Sequence, residues 1–168
     1  MRSIYKIVVC SLLTLSITSC EKDLLEKEQY QKEIYLIGAY NRVWTTEVSY
    51  SNEEVKTYFT VSSSGTLALD RDVNVKMKIN EELVDIYNKK YWTVLNEDKY
   101  YKSLDTDLYS IPSLENTVIK HAEGISAEVP VLIKTASLKI DQSYVIPVEI
   151  ESTTGYPISE SGYKMLIL

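Results

Sequence analysis

Cys20 is the one residue of this chain whose neighbours assign it a chemistry. It follows Ile17, Thr18 and Ser19, and a small residue directly before a cysteine resembles the lipobox, where a leader is cut and the new N-terminal cysteine is acylated. The preceding residues have the layout of a secretory leader, with Arg2 and Lys6 ahead of an apolar stretch from Ile7 to Ile17. That stretch is too short to span a bilayer. Each buried methylene of an acyl chain contributes about 0.8 kcal/mol, so Cys20 is expected to serve as a membrane tether rather than as a reagent. Cys10 lies inside the leader, so the mature chain is expected to have no disulfide and to rely on its core.

The other reactive residue types are sparse or scattered. His121 is the single histidine, and a zinc site needs three or four such ligands. With Glu123 behind it, His121 has the ingredients to orient a serine, but Gly124 marks a turn and favours a solvated loop histidine. Glycoside cleavage needs two carboxylates about 5 to 9.5 Å apart, and no acid-rich strand motif of a hydrolase is visible, so no catalytic residue is assigned. Asp70 with Asp72, and Asp105 with Asp107, each place two carboxylates in a loop where calcium would find oxygen ligands. Turn formation explains them equally well, and neither a metal nor another cofactor is assigned.

Aromatic residues are the remaining resource, with fourteen tyrosines against one phenylalanine. Sugar rings stack on exposed aromatic faces while polar groups hold their edges. Trp44, Tyr91, Trp92, Tyr100 and Tyr101 are the candidates for such a ligand-binding platform. The competing reading is packing, because tyrosine suits half-buried strands.

The elements that must position these residues come from one ordinary domain. Removing residues 1–19 leaves enough chain for a genuine core, and the net charge then moves from −6 to −8 because Arg2 and Lys6 depart. An acidic surface without basic clusters argues against nucleic acid as a partner. Residues 20–32 form the acylated cysteine and a tether. The run Glu21 to Glu28 is polar and acid-rich and reads as a solvated linker or frayed helix; acids just behind such a cysteine also resemble a lipoprotein surface-export signal.

From residue 33 to 168 the dominant pattern is two-residue alternation. In Val73-Asn74-Val75-Lys76-Met77-Lys78-Ile79 the odd positions face a core. Phe59 and Val61 point inward in the strand from Val55 to Val61. Ala127, Val129, Val131 and Ile133 form a third apolar row, and Tyr144, Ile146, Val148 and Ile150 a fourth. The segment from Thr135 to Gln142 joins these two rows as a hairpin or a cross-sheet connection within one antiparallel system. Pro130 and Pro147 place both strands at sheet edges or beside bulges, since proline donates nothing to a ladder. Further strands are expected near Tyr109, at Thr117 to Lys120 and at Tyr163 to Leu168. One helix interrupts them from Asn80 to Tyr91, capped by Asn80, with acids first and lysines last. Leu83, Tyr87 and Tyr91 share a face, and the helix is expected to close one end of an all-β, antiparallel sandwich.

Three stretches carry a family resemblance: Leu83-Val84-Asp85-Ile86-Tyr87-Asn88, Thr117-Val118-Ile119 with Glu123-Gly124, and Leu138 through Tyr144-Val145-Ile146-Pro147-Val148-Glu149-Ile150. With the lipobox, they resemble the N-terminal immunoglobulin-like β-sandwich of Bacteroidetes surface lipoproteins and glycosidases, domain of unknown function 1735. The chain departs from that pattern at Leu95-Asn96, where Leu-Pro is usual. Members commonly continue into a further module, so Leu168 ends either a stand-alone version or a piece with a downstream domain missing. The resemblance implies a cell-surface role in glycan capture or degradation with no family active site to carry over, and the expectation is a lipid-anchored outer-membrane accessory without enzymatic activity, with a polysaccharide or a neighbouring surface protein as partner. The rival expectation is a structural spacer or adhesin-like module with no glycan ligand.

Overall fold

Alternation gives each long strand one apolar face, and two such sheets stack with those faces together. The computed structural model describes residues 27–92, 94–139 and 142–167. In chain order the strands are β1 (Ile34–Leu36), β2 (Val43–Trp44), β3 (Val55–Ser63), β4 (Val73–Ile79), β5 (Lys102–Ser103), β6 (Tyr109–Ser110), β7 (Thr117–Ile119), β8 (Ser126–Ile133), β9 (Tyr144–Thr153) and β10 (Lys164–Ile167). The first sheet has the order β1-β3-β8-β6, and the second β2-β10-β9-β4-β7 with β5 added on β9. Pairing is antiparallel except for β2 with β10 and β5 with β9. The protein is a β-sandwich with one α-helix, α1 (Glu82–Tyr91), among the described residues.

The alternating rows meet as the sequence predicts. Phe59, Val61, Val129 and Val131 from the first sheet pack against Val73, Val75, Met77, Ile146, Val148 and Ile150 from the second, all at most 2% exposed. The segment after β8 is the cross-sheet connection, since β8 and β9 belong to different sheets.

The two prolines divide. Ser63 N–H donates to Ile125 O, which makes Tyr58 and Pro130 a pair without ladder bonds. Pro130 therefore turns its nitrogen away from β3, and β6 reaches β8 only at Leu132 and Ile133. β8 is thus an interior strand of its sheet, and Pro130 stands on a stretch of its β6-facing side that β6 leaves unpaired. Pro147 takes the other alternative: β9 is an interior strand between β10 and β4 and carries a bulge, which lies at Glu151, skipped between the Lys76 and Met77 pairings, rather than at the proline itself. The reason is local: β4 ends at Ile79, opposite Val148. Beyond it Pro147 O accepts from Asn80 N at 3.0 Å, while Val145 O, on the same edge, accepts from Leu104 N at 2.9 Å. Pro147 thus occupies the gap between the departing β4 and the arriving β5, where a strand has no ladder donor to supply.

At the end of the tether, Lys27 to Gln31 are exposed, and Glu28 and Lys32 reach the loop from residue 64 to 67. Glu28 Oε1 accepts from Thr66 N–H at 2.6 Å and from Thr66 Oγ1 at 2.8 Å. Lys32 pairs with Glu28 and donates to Leu67 O. Ser64 N donates to Glu33 O at 2.9 Å, and Ser64 Oγ accepts from Glu33 N at 2.8 Å. Cys20 and the leader lie outside the described residues.

These contacts, Lys32 first and the Thr66 amide next, lower the Glu28 carboxyl from 4.5 to about 2. A depressed carboxyl stabilises the docked form fully above its free value and loses that contribution as the pH falls through the docked value. Hydrogen exchange at the Thr66 amide should therefore stay slow at neutral pH, rise below about 4.5 and reach its free rate below about 2. In Glu28→Gln it should be fast and independent of pH in that window after correction for intrinsic exchange.

Candidate functional site

β9 and β10 carry apolar side chains on both faces. Ile146, Met165 and Ile167 face the sandwich core, whereas Val145 and Leu166 face outward. Leu83 and Val84 of α1 cover them. The helix thus lies on the outer face of the second sheet, which corrects the expectation that it closes an end. Asn80 starts it, its Oδ1 accepting from Glu82 N at 3.2 Å, and Glu82 and Asp85 with Lys89 and Lys90 complement the helix dipole. Trp92 ends it in an extended conformation.

Asn88 joins the helix to the returning chain. Its side chain is buried, with Oδ1 accepting from Tyr101 N at 3.0 Å and Nδ2 donating to Tyr101 O at 2.9 Å. This reproduces the paired bonds of a β-ladder from a side-chain amide. It fixes the backbone of Tyr101 so that its ring lies 5.5 Å from that of Tyr87, which in turn lies 4.5 Å from Tyr91. Burial raises the Tyr87 phenol above its ordinary value, so it stays a neutral hydrogen-bond donor.

Of the five proposed platform residues, the structure brings Tyr91 and Tyr101 together through Tyr87. Tyr100 and Tyr101 are half-buried and line an open cleft of about 610 Å³ beside α1, with Glu81, Glu82, Asp85 and Glu97. Those carboxylates and phenols are suited to accept from sugar hydroxyls. Trp92 is half-buried, with the Lys99 ammonium 5.5 Å from its ring centre. Its indole N–H is buried and has no partner among the described residues. Trp44 is not part of this group: its ring packs over Gly38, where an added Cβ would stand 2.5 Å from Cε3. Sequence reading treated Tyr87 as packing and gave Asn88 no role, although the Tyr-Asn pair was visible. On the opposite side of α1 a second cavity, about 330 Å³, is bounded by Tyr40, Arg42, Ile86, Tyr87, Glu160 and Lys164.

The remaining candidates have local partners. His121 is exposed, with Nδ1 2.6 Å from Asp72 Oδ1, and this bond lowers the Asp72 carboxyl. Asp70 is held below the usual carboxylate range by Arg71, at 2.9 and 3.0 Å, and by the Tyr156 hydroxyl. The carboxylates of Asp70 and Asp72 are thus engaged by different partners. Asp105 precedes a single helical turn and Asp107 lies within it, accepting through main-chain oxygens from Leu108 N and Lys134 Nζ. No three His, Cys, Asp or Glu side chains converge on a metal position among the described residues.

A family model for an N-terminal domain matches residues 30–157. Among solved structures, a Bacteroides ovatus protein of unknown function superposes with a TM-score of 0.67 at 17% identity, covering 82% of this chain and 45% of that one. A candidate carbohydrate-binding protein from Bacteroides ovatus gives 0.61 at 18% identity, covering 80% and 36%. A multidomain protein including DUF1735, also from Bacteroides ovatus, gives 0.59 at 18%, covering 76% and 40%. At these identities the likeness establishes the fold. The chain spans less than half the length of each of these structures. Comparison with curated proteins finds no match.

Replacing Asn88 by alanine strands the Tyr101 amide and carbonyl, and a stranded buried polar group costs about 1–3 kcal/mol. Chemical denaturation of Asn88→Ala should show a loss of about that size. Trp92→Phe removes an unpartnered donor and should leave the unfolding midpoint unchanged or raised, whereas Trp92→Ala should lower it.

Proposed function

The chain belongs to the DUF1735 family, an N-terminal immunoglobulin-like β-sandwich of Bacteroides proteins, and from that premise we propose that it is a membrane-anchored, non-catalytic accessory in glycan capture. The observation that carries this reading is the surface around α1, where Tyr87, Tyr91 and Tyr101 stack between two open clefts lined by charged groups. Aromatic faces flanked by hydrogen-bonding groups are the chemistry that holds sugars. The structural likeness to a candidate carbohydrate-binding protein supports it.

The anchor rests on the sequence around Cys20. Glu28, docked on Thr66, lies eight positions after it, so a fully extended tether spans roughly 28 Å at most. In this reading acylation holds the loop from residue 64 to 67 close to the outer membrane, with the protein exported and exposed at the cell surface. A second reading, a spacer or adhesin-like module without a glycan, is favoured by the half-burial of Trp92, Tyr100 and Tyr101, which suits packing.

Two experiments test these claims. Labelling of cells with a palmitate analogue should mark the wild-type protein and leave Cys20→Ala unmarked and released from membranes; equal labelling removes the anchor. Purified protein should bind members of a broad polysaccharide array, and Tyr101→Ala should weaken binding about tenfold with its circular dichroism unchanged, because Asn88 grips only the main chain at that position. Silence across the array gives the spacer reading.

A further inference from the structure

The two sides of α1 differ in charge. One cleft gathers Glu81, Glu82, Asp85 and Glu97 around the single cation Lys102. The cavity on the other side has Arg42 and Lys164 against the single carboxylate Glu160. Elsewhere on this acidic chain cations find carboxylates, as in Arg71 with Asp70, Lys76 with Glu151 and Lys120 with Glu123. Arg42 and Lys164 form no ion pair among the described residues, although Lys164 is half-buried and its ammonium rests 4.9 Å from the Tyr163 ring centre.

The cavity is also built on fixed backbone. Tyr40 stands on a single helical turn bracketed by Gly38 at φ 87° and Arg42 at φ 66°, and its ring is 84% exposed. Arg42 is the one non-glycine residue with positive φ among those described, a conformation that a side chain with a Cβ rarely adopts and that needs support. Two hydrogen bonds supply it, Arg42 N–H to Ala39 O at 2.8 Å and Leu166 N–H to Arg42 O at 2.7 Å. The second ties the base of the guanidinium to β10, the strand that also carries Lys164. Leu83 and Leu166 add apolar surface to the lining.

We propose that this cavity binds the carboxylate-bearing residue of an acidic saccharide, with Arg42 and Lys164 holding the carboxylate and Tyr40 and Tyr87 receiving the ring face. The proposal rests on the glycan-capture reading and names its ligand class. A guanidinium fork matches a carboxylate in two parallel bonds, while Glu160 accepts from ring hydroxyls. The volume of about 330 Å³ falls at the small end of ligand pockets, which begin at about 300 Å³, and admits one sugar residue with its neighbours outside. The overall charge of −6 repels polyanions, so binding of an acidic glycan reports the local cations rather than general attraction.

The test is calorimetric titration of the full chain in detergent micelles with trigalacturonate and with neutral galactotriose. Trigalacturonate should bind about tenfold more tightly and lose that advantage as salt is raised. Lys164→Met and Arg42→Gln should each weaken it about fivefold, the double variant should reduce it to the level of galactotriose, and Tyr40→Ala should weaken both sugars. If Arg42→Gln fails to fold, Lys164→Met carries the test. Equal affinity for the two sugars, or an affinity for trigalacturonate unchanged in Lys164→Met, overturns the acidic-ligand proposal while leaving glycan capture standing. Binding of neither sugar overturns the proposal, and silence of the whole polysaccharide array would remove the capture reading as well.

Discussion

Val145 and Leu166 leave the second sheet on the side opposite Ile146, Met165 and Ile167. Two sheets alone would therefore leave apolar surface in water at the middle of the molecule, and each aliphatic side chain so exposed forgoes about 1.5–3 kcal/mol. The helix between β4 and β5 answers this requirement. With ten residues it is too short to persist by itself in water, so helix and outer face stabilise each other. Its amphipathic face is placed by Leu83 and Val84 and continues to the buried Asn88, while Tyr91 at its end is 49% exposed.

Sending the chain over that face interrupts the ladder on β9, and the interruption has to be closed without stranding polar groups. Three residues accomplish it. Pro147 sits where no donor is required, Asn80 starts the helix while its own N–H reaches back to Pro147 O, and Asn88 supplies from its side chain the two bonds that a neighbouring strand would have given Tyr101. The clefts follow from the same detour. Between helix and sheet the backbone is held at its contacts and open on either side, and those openings are where Tyr100, Tyr101, Tyr40 and Arg42 lie.

This separates what the sequence displays from what it conceals. Period-two alternation marks Val73–Ile79 and the other long strands because one face of each meets water and the other the core. It marks β9 less completely: the core-facing row is legible, while nothing in the sequence shows what covers Val145 on the opposite face. The position of the helix depended on that missing partner, which is why an end of the sandwich was expected. Pro147 is legible as a missing ladder donor in a strand that carries a bulge, but a sequence does not show that the adjoining strand has already departed. The docking of Glu28 on Thr66 joins residues 38 positions apart, and nothing local announces it. Among the site residues, the aromatic group near Tyr91 and Tyr101 was legible as a run, whereas Arg42 was not, because its left-handed backbone comes from β10 through the Leu166 bond.

Both candidate sites hang on main-chain contacts, and this has a consequence for how such a scaffold can change. Asn88 holds the amide and carbonyl of Tyr101, and Leu166 holds the carbonyl of Arg42. Neither contact constrains the side chain of the residue that it positions. The stability of the detour and the chemistry of the clefts are therefore carried by different atoms of the same residues. A substitution at Tyr100, Tyr101 or Tyr40 alters what a cleft presents at little cost to the ladder, whereas one at Asn88 disturbs both. A fold arranged in this way can keep its helix and crossing strand fixed while the side chains lining its clefts vary, which fits solved structures that share this architecture at 17–18% identity to the chain.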